Sequence, residues 1–593
     1  MFHSRSSRSG QYPEESRRQK RMNDMKIASA FIHPEPRMRL EQQYALLYRE
    51  FGERAAHPGL PALAALLACS ERNARLQLAK MADRGWLAWR PGRGRGHRSE
   101  LRLLLTPDEM ALGDARRLVA RGELEQAFAR LNAPLRRQLL TRLPQLFAQD
   151  DDRSRLRMPI ARPVHTLDPI KAYHRLEAHI VRQLFDCLCD FDAASQSLRP
   201  ALAHHWEADA DARRWRFWLR PGLRFHDGSP LDAAAVAASV LRLRDEDGPM
   251  RHMYRGLEAV ETHHPLSLSF RLAHGDWLWP QRLYTVNAAI APPARAADFD
   301  SHPVGCGAFR LQRHSPQRLV LEANPHYYRE RPLLERIELW VLGGADSPSC
   351  FDLRQDAATR SPDDPLQSAC TYLLPNPDGP FFAGDDARRR GLLRFLSQPT
   401  PLTAGDPERE PALGLLPGWR QPPVAADADT ALPQGGALRL CTYDLASPPG
   451  LIRALEARLA GIGARLEVTR IAYPDFHRYR WWQQADLVLM SEVLHDDRDY
   501  GLYEWLGGNP GLRRSLPPGP RARLDADLLA IQQLPERAAR MRAYQACADW
   551  LVREGWLLPL SHEREGLQAG DDIAGLRQGL SGWVDFRSLW RKD

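Results

Sequence analysis

No run of about 18 or more apolar residues occurs in this chain, so no transmembrane helix is expected. The basic start (Arg17, Arg18, Lys20, Arg21) is followed by nothing more apolar than Ile27–Ile32, too short for a secretory h-region. A cytoplasmic protein without membrane partners is therefore expected. Cysteine is scarce: eight residues in 593 are too dilute for a disulfide framework, and reduced thiols are expected. Lysine is scarcer, five against 77 arginines. No Walker loop and no nucleophile elbow occurs, and His562-Glu-Arg-Glu lacks the second histidine of a zincin. Cys187-x-Cys189, His204-His205 and His263-His264 lack partners at metal-ligand spacing. No enzyme, no metal site and no cofactor are expected.

What the chain has is an uneven charge. Residues 1–105 hold 20 Lys and Arg against 10 Asp and Glu, an excess of +10, while the remaining 62 basic and 64 acidic residues leave −2. A local basic excess points to a polyanionic partner. Residues 1–37 read as a disordered basic tail, too polar to offset its ordering entropy.

Residues 38–105 carry the rest of that excess in an ordered pattern. Leu40, Tyr44, Leu47, Tyr48 and Phe51 recur at helical spacing, and Pro61–Ala68 is a second short helix. Ser70 is an N-cap for a third helix, Glu71–Arg84, stopped by Gly85. Its core stripe is Ala74, Leu78 and Met81, and its other face carries Arg72, Asn73, Arg75 and Gln77. Strands at Trp86–Arg90 and Glu100–Leu105 flank a glycine-spaced tip with Arg93, Arg95 and Arg98. This is the order of a winged helix-turn-helix. Arg and Asn or Gln on a recognition helix can pair with base edges, and wing guanidinium groups can meet phosphates. Double-stranded DNA is the expected partner. Ser70, Arg72, Asn73, Arg75, Gln77, Arg93, Arg95 and Arg98 are the candidate contacts.

Residues 106–155 read as a helical connector of two or three helices (Leu112, Leu118, Leu124, Phe128, Leu131, Leu139, Leu143, Leu146), punctuated by Pro134 and Pro144. From 156 to 593, predicted strands (Arg214–Leu219, Leu266–Leu272, Leu319–Ala323, Ile337–Leu342, Leu438–Thr442) alternate with helices (Ala178–Cys189, Ala233–Arg244, Ala454–Leu459, Ala538–Glu554). The expectation is an α/β module.

Three stretches carry a resemblance. Leu202-Ala-His-His-Trp206 with Trp215-Arg-Phe-Trp-Leu-Arg-Pro-Gly222 and Phe225-His-Asp-Gly-Ser-Pro-Leu231 is the first. His302-Pro-Val-Gly-Cys-Gly-Ala-Phe309 with Leu319–Tyr328 is the second, and Gly582-Trp-Val-Asp-Phe586 the third. Together they resemble the family 5, oligopeptide/nickel-type, solute-binding proteins, which implies a two-lobed α/β periplasmic-binding-protein-like fold. Leu66-Leu-Ala-Cys-Ser70, Asp83-Arg-Gly-Trp-Leu87, Gly94-Arg-Gly-His-Arg-Ser99 and Gly414-Leu-Leu-Pro-Gly-Trp419 resemble the SgrR family of transcriptional regulators. That resemblance implies a DNA-binding regulator, an activator, whose large domain senses a small molecule, a sugar phosphate or another metabolite. Matched to the family segment that faces its cleft, Tyr173, His174 and Arg175 are candidate ligand contacts. Tyr443 and Trp505 are further candidates, as are Trp277 and Trp279, although such aromatics are more often core. An ABC-transporter solute- or oligopeptide-binding protein is the alternative reading, and a cytoplasmic α/β enzyme the second. Oligomeric state is open.

Overall fold

The computed structural model describes residues 36–92, 99–142, 152–341, 351–354, 366–398, 409–425, 435–443, 449–564, 567–577 and 584–592, apart from 122 and 477. The chain divides into two compact units, Met1–Gln149 and Asp150–Asp593.

The first unit starts with α1 (Pro36–Phe51), α2 (Leu60–Leu66) and α3 (Glu71–Asp83), followed by a hairpin of β1 (Leu87–Arg90) and β2 (Glu100–Leu103). The hairpin pairs Leu87 with Leu103 and Arg90 with Glu100. Ala56, between α1 and α2, exchanges both backbone hydrogen bonds with Leu101, at 2.9 and 2.8 Å. This third strand position is not visible in sequence, because a single bridge has no period. Leu40, Tyr44, Leu47, Leu63, Leu67, Ala74, Leu78, Met81, Leu87, Leu101 and Leu103 form one buried cluster. Tyr44 ties α1 to the hairpin. Its hydroxyl lies 2.6 Å from Leu105 O and 2.8 Å from Trp86 O, and its ring meets Trp86 edge-on at 5.6 Å. Thr106 and Glu109 form a reciprocal capping box that starts α4 (Pro107–Ala120). α5 (Leu124–Ala129) and α6 (Ala133–Leu140) follow, with Leu131, Leu135 and Leu139 buried. Leu143 and Leu146 of the expected connector lie outside the described residues.

The second unit is a two-lobed α/β body. Its first lobe holds two four-stranded sheets. One runs Phe309–His314, Arg318–Ala323, Arg336–Val341, Arg155–Ile160, with the last pair parallel. The other is antiparallel and runs Ala203–Ala208, Arg214–Leu219, Ser267–Leu272, Leu257–His264. The second lobe is built on a six-stranded sheet in the order Arg409–Pro411, Leu558–Glu563, Ala369–Pro375, Leu487–Val493, Ala437–Tyr443, Arg465–Ile471. Residues near 568 return the chain to the first lobe, where Gln568–Ala569 pairs with Leu353–Arg354.

One expected element is shorter. The helix expected over Ala178–Cys189 runs Arg175–Leu184 and stops, and Cys189 opens a strand to Asp192. The cause is a close backbone approach. Gly307 N–H donates to Leu184 O at 2.9 Å, and a Cβ on Gly305 would sit 1.9 Å from that oxygen. With the carbonyl taken from the side, the helix has no room to continue. Cys187 and Cys189 therefore do not share a helix; burial pushes the Cys187 thiol up to about 12.

In the second lobe, Asn509 Nδ2 donates to Glu492 Oε2 at 2.7 Å and to Tyr372 OH at 3.0 Å. Burial pushes the Glu492 carboxyl up to about 7, against the Asn509 hydrogen bond. The folded protein thus holds this proton more tightly than the unfolded chain, and the associated stability is lost as pH rises through about 7.

Two outcomes are expected. Tyr44→Phe lowers the denaturant-unfolding free energy of the first unit by about 1–2 kcal/mol, since Leu105 and Trp86 lose their hydroxyl partner. Glu492→Gln keeps an acceptor for Asn509 but carries no charge, so its stability relative to the natural chain grows by about 1–3 kcal/mol between pH 5 and pH 8. Urea titrations at several pH values measure it.

Candidate nucleic-acid interface and ligand cleft

In the first unit the candidate surface is built on α3. Ser70 caps it: the Asn73 backbone N–H donates to Ser70 Oγ at 3.3 Å. The side-chain period then separates two faces. Ala74, Leu78 and Met81 are fully buried, while Arg72 and Arg75 are exposed and Asn73 and Gln77 half-exposed. Gln77 Nε2 donates to Asn73 Oδ1 at 3.3 Å, which orients the two amides on one face. Ser70, Arg72, Asn73, Arg75 and Gln77 therefore lie together in the first two turns of one helix. Leu76 shares that exposed surface at 54%. Sequence reasoning passes over it because an apolar residue in a helix reads as core. Arg90 and Arg102 are exposed on the hairpin, where burial of Leu87, Leu101 and Leu103 turns their neighbours outward. Arg93, Arg95 and Arg98 lie outside the described residues.

In the second unit, Tyr173, His174 and Arg175 form the turn that opens the helix Arg175–Leu184. Arg175 is exposed and the other two are half-buried, with the Tyr173 and His174 rings edge-on at 5.8 Å. Burial lowers the His174 pKa, so its ring favours the neutral form. The approach to this turn is pinned by three buried contacts. Arg162 binds the fully buried Glu177 through two 2.6 Å hydrogen bonds. Arg242 binds Asp168 in the same forked way, at 2.7 and 2.5 Å. Asn287 Nδ2 donates to Pro169 O and Ala172 O, both at 2.8 Å. Tyr443 and Trp505 belong to the core of the second lobe: Tyr443 packs on Phe476 at 4.7 Å, and Trp505 donates to Tyr372 OH at 3.3 Å. Trp279 is core in the first lobe, against Tyr254 and Phe270, and Trp277 is partly buried beside it.

The second and third recognisable stretches of the large unit each give a residue, Tyr327 and Asp585, to one polar cluster that sequence spacing did not disclose. Tyr327 donates to Asp186 Oδ2 at 2.7 Å, and Arg329 donates to Asp190 Oδ2 at 3.0 Å. Arg587 forks onto Asp585 and lies 4.0 Å from Asp186. Burial would raise the Asp190 carboxyl, but Arg587, Arg182 and Arg329 reverse that and hold it at about 2. Arg182, Asp186, Asp190, Tyr284 and Arg587 line a cavity of about 20 Å³, room for about one water molecule.

The lobes meet beside this cluster. Tyr284 of the first lobe lies 6.3 Å from His495 and 6.4 Å from Tyr500 of the second. Tyr500, 1% exposed, packs into a core cluster of the first lobe. Arg282, 3% exposed, pairs with Asp276 in its own lobe at 2.8 Å and donates across to Gln532 Oε1 at 3.2 Å. The Tyr503 ring lies 4.6 Å from its guanidinium, and Tyr503 OH donates to the same Gln532 oxygen.

Comparison with known proteins agrees with both units. A family described as "Sugar transport-related sRNA regulator N-term" matches residues 39–150. "Bacterial extracellular solute-binding proteins, family 5 Middle" matches residues 197–351. The HTH-type transcriptional regulator SgrR of Escherichia coli O1:K1 / APEC is 30% identical over 572 residues, covering 94% of this chain and 99% of the relative. Among solved structures, the dipeptide binding protein of Pseudoalteromonas sp. SM9913 in complex with Met-Leu covers 74% of this chain and 100% of its own, with TM-score 0.64 and 16% identity. The periplasmic binding protein DppA of Helicobacter pylori, in complex with the peptide STSA, gives 0.63, 14%, and coverage of 74% and 98%. These two share the fold of the large unit. The similar proteins are transcriptional regulators and binding proteins. With a curated relative matched over nearly its whole length, the chain belongs to the SgrR family of transcriptional regulators, in which a DNA-binding unit is joined to a family 5 solute-binding domain.

Proposed function

We propose that residues 38–105 are a winged helix-turn-helix that reads a duplex operator, that 106–155 connect it to a sensor at 156–593, and that residues 1–37 are a basic tail. The observation that carries this reading is α3: a Ser70-capped helix whose burial of Ala74, Leu78 and Met81 turns Arg72, Asn73, Arg75 and Gln77 outward together. An α-helix fits the major groove, where Arg pairs with guanine and Asn or Gln with adenine. Exposed Leu76 suits a thymine methyl group on the same surface. Arg93, Arg95 and Arg98 at the wing tip meet phosphates or the minor groove, with Arg90 and Arg102 adding to the same charge.

The sensor takes a small molecule between its lobes. Tyr173, His174 and Arg175 offer ring faces, an imidazole and an exposed cation from the first lobe, while Tyr443 and Trp505 back the second lobe from its core. A ligand that binds better to one lobe arrangement than to another shifts the population, and the connector passes that shift to the DNA reader. The family membership favours a cytoplasmic activator; a sugar phosphate or another anionic metabolite suits Arg175.

Fluorescence anisotropy with the operator duplex tests the DNA reading. Arg72→Ala and Arg75→Ala each cost roughly 1–3 kcal/mol on the specific site. Arg93→Ala and Arg95→Ala weaken all duplexes alike and lower the slope of log affinity against log salt by about 1 each. Salt-insensitive binding, or binding unchanged in all four variants, refutes the proposal.

A further inference from the structure

A cavity of the second unit lies away from the residues proposed for the ligand cleft. It measures about 430 Å³, within the roughly 300–1,000 Å³ typical of small-molecule sites. Three helix ends of the second lobe build it. Asp386, Arg389 and Arg390 come from the first five residues of Asp386–Leu396, Gly519, Pro520 and Arg523 from the start of Pro518–Gln532, and Trp550 from the end of Arg537–Arg553; Glu554 and Trp556 follow that end.

Most of this lining is fixed by internal contacts. Arg389 is 1% exposed and its guanidinium lies 3.4 Å over the Trp556 ring. It donates to Glu554 O at 2.7 Å and Gly555 O at 2.6 Å, capping the end of the helix, and pairs with Asp386 at 3.1 Å. Arg523 lies 4.3 Å over Trp550 and 3.7 Å from Asp527. The arginine–tryptophan stacks give the cavity two flat, rigid walls. Arg389 pairs with Asp386 and also feels the Glu554 and Arg390 charges, while Arg523 faces Asp527.

Two charges remain. Arg390 and Glu554 are both half-buried residues. Neither side chain has a hydrogen-bond or ion-pair partner among the described residues, and they do not pair with each other. A cation and an anion facing one cavity without joining match a ligand with both charges. We propose that this cavity is a second small-molecule site and takes a zwitterion, an α-amino acid with an apolar side chain. Its carboxylate meets Arg390, with Arg523 alongside, its ammonium meets Glu554, and its side chain lies on the stacked walls. The site is independent of the interlobe cleft, so its failure leaves the regulator reading standing.

Calorimetry of the full-length protein with L-phenylalanine as probe tests it. The expected dissociation constant is about 1 mM or tighter. N-acetylphenylalanine lacks the ammonium and phenylalanine amide lacks the carboxylate, so each binds roughly tenfold more weakly or worse. Arg390→Gln removes the penalty for the amide, and Glu554→Gln removes the penalty for the acetylated form. Both variants leave the buried Arg389 stack in place, and their thermal unfolding confirms an intact lobe. No binding of phenylalanine by the natural chain overturns the proposal. So does binding that is the same in both variants as in the natural chain, which would place the amino acid elsewhere.

Discussion

The lobes of the large unit are held against each other by a charge that cannot be left alone. Arg282 is almost wholly buried, and a buried guanidinium must keep its partners or cost several kcal/mol. Asp276 and the Met253 carbonyl serve it from its own lobe, but Gln532 and the Tyr503 ring come from the other. Separating the lobes therefore strips part of its coordination in one step, while water must enter to replace it. That requirement favours distinct arrangements of the lobes over a continuum. A ligand then needs only a modest preference for one arrangement to change the population.

The same economy of buried charge runs through the rest of the unit. Glu177, Asp168 and Asp499 are buried carboxylates, each doubly bonded by an arginine, Arg162, Arg242 and Arg540. Each joins segments distant in sequence, or fixes a turn beside one. The chain thus uses its many arginines as forked connectors, which lysine could not replace geometrically. In the small unit the arginines behave differently: on α3 and the hairpin they are left exposed. The exposed arginines of α3 and the hairpin are available to a partner because the fold does not consume them.

Periodic features were legible in the sequence. The α3 stripe of Ala74, Leu78 and Met81, the Ser70 cap, the hairpin, and the strands at 214–219 and 318–323 follow from spacing and capping chemistry alone. What was not legible depends on contacts between distant segments. The early end of the helix at Leu184 is imposed by Gly305 and Gly307, more than 100 positions later. The bridge at Ala56 needs Leu101. The Asp186, Asp190, Tyr327, Arg329 and Arg587 cluster joins segments far apart in the chain. At the sites, outward charge on a helix could be read from period, whereas the exposure of Leu76 could not. Tyr443 and Trp505 are aromatic enough to suggest a pocket, and their burial in the second lobe's core is set by neighbours such as Phe476 and Tyr372.

Control of DNA affinity by the arrangement of the lobes, as proposed above, can be tested without a known ligand. Gln532→Ala removes the interlobe acceptor while leaving Arg282 its Asp276 pair. In the full chain, an interlobe fluorophore pair reports the lobe separation and anisotropy reports operator binding. The variant is expected to widen the lobe separation and to change operator affinity by about fivefold or more, the usual scale of an allosteric coupling. Lobes that open while operator affinity stays the same would contradict it.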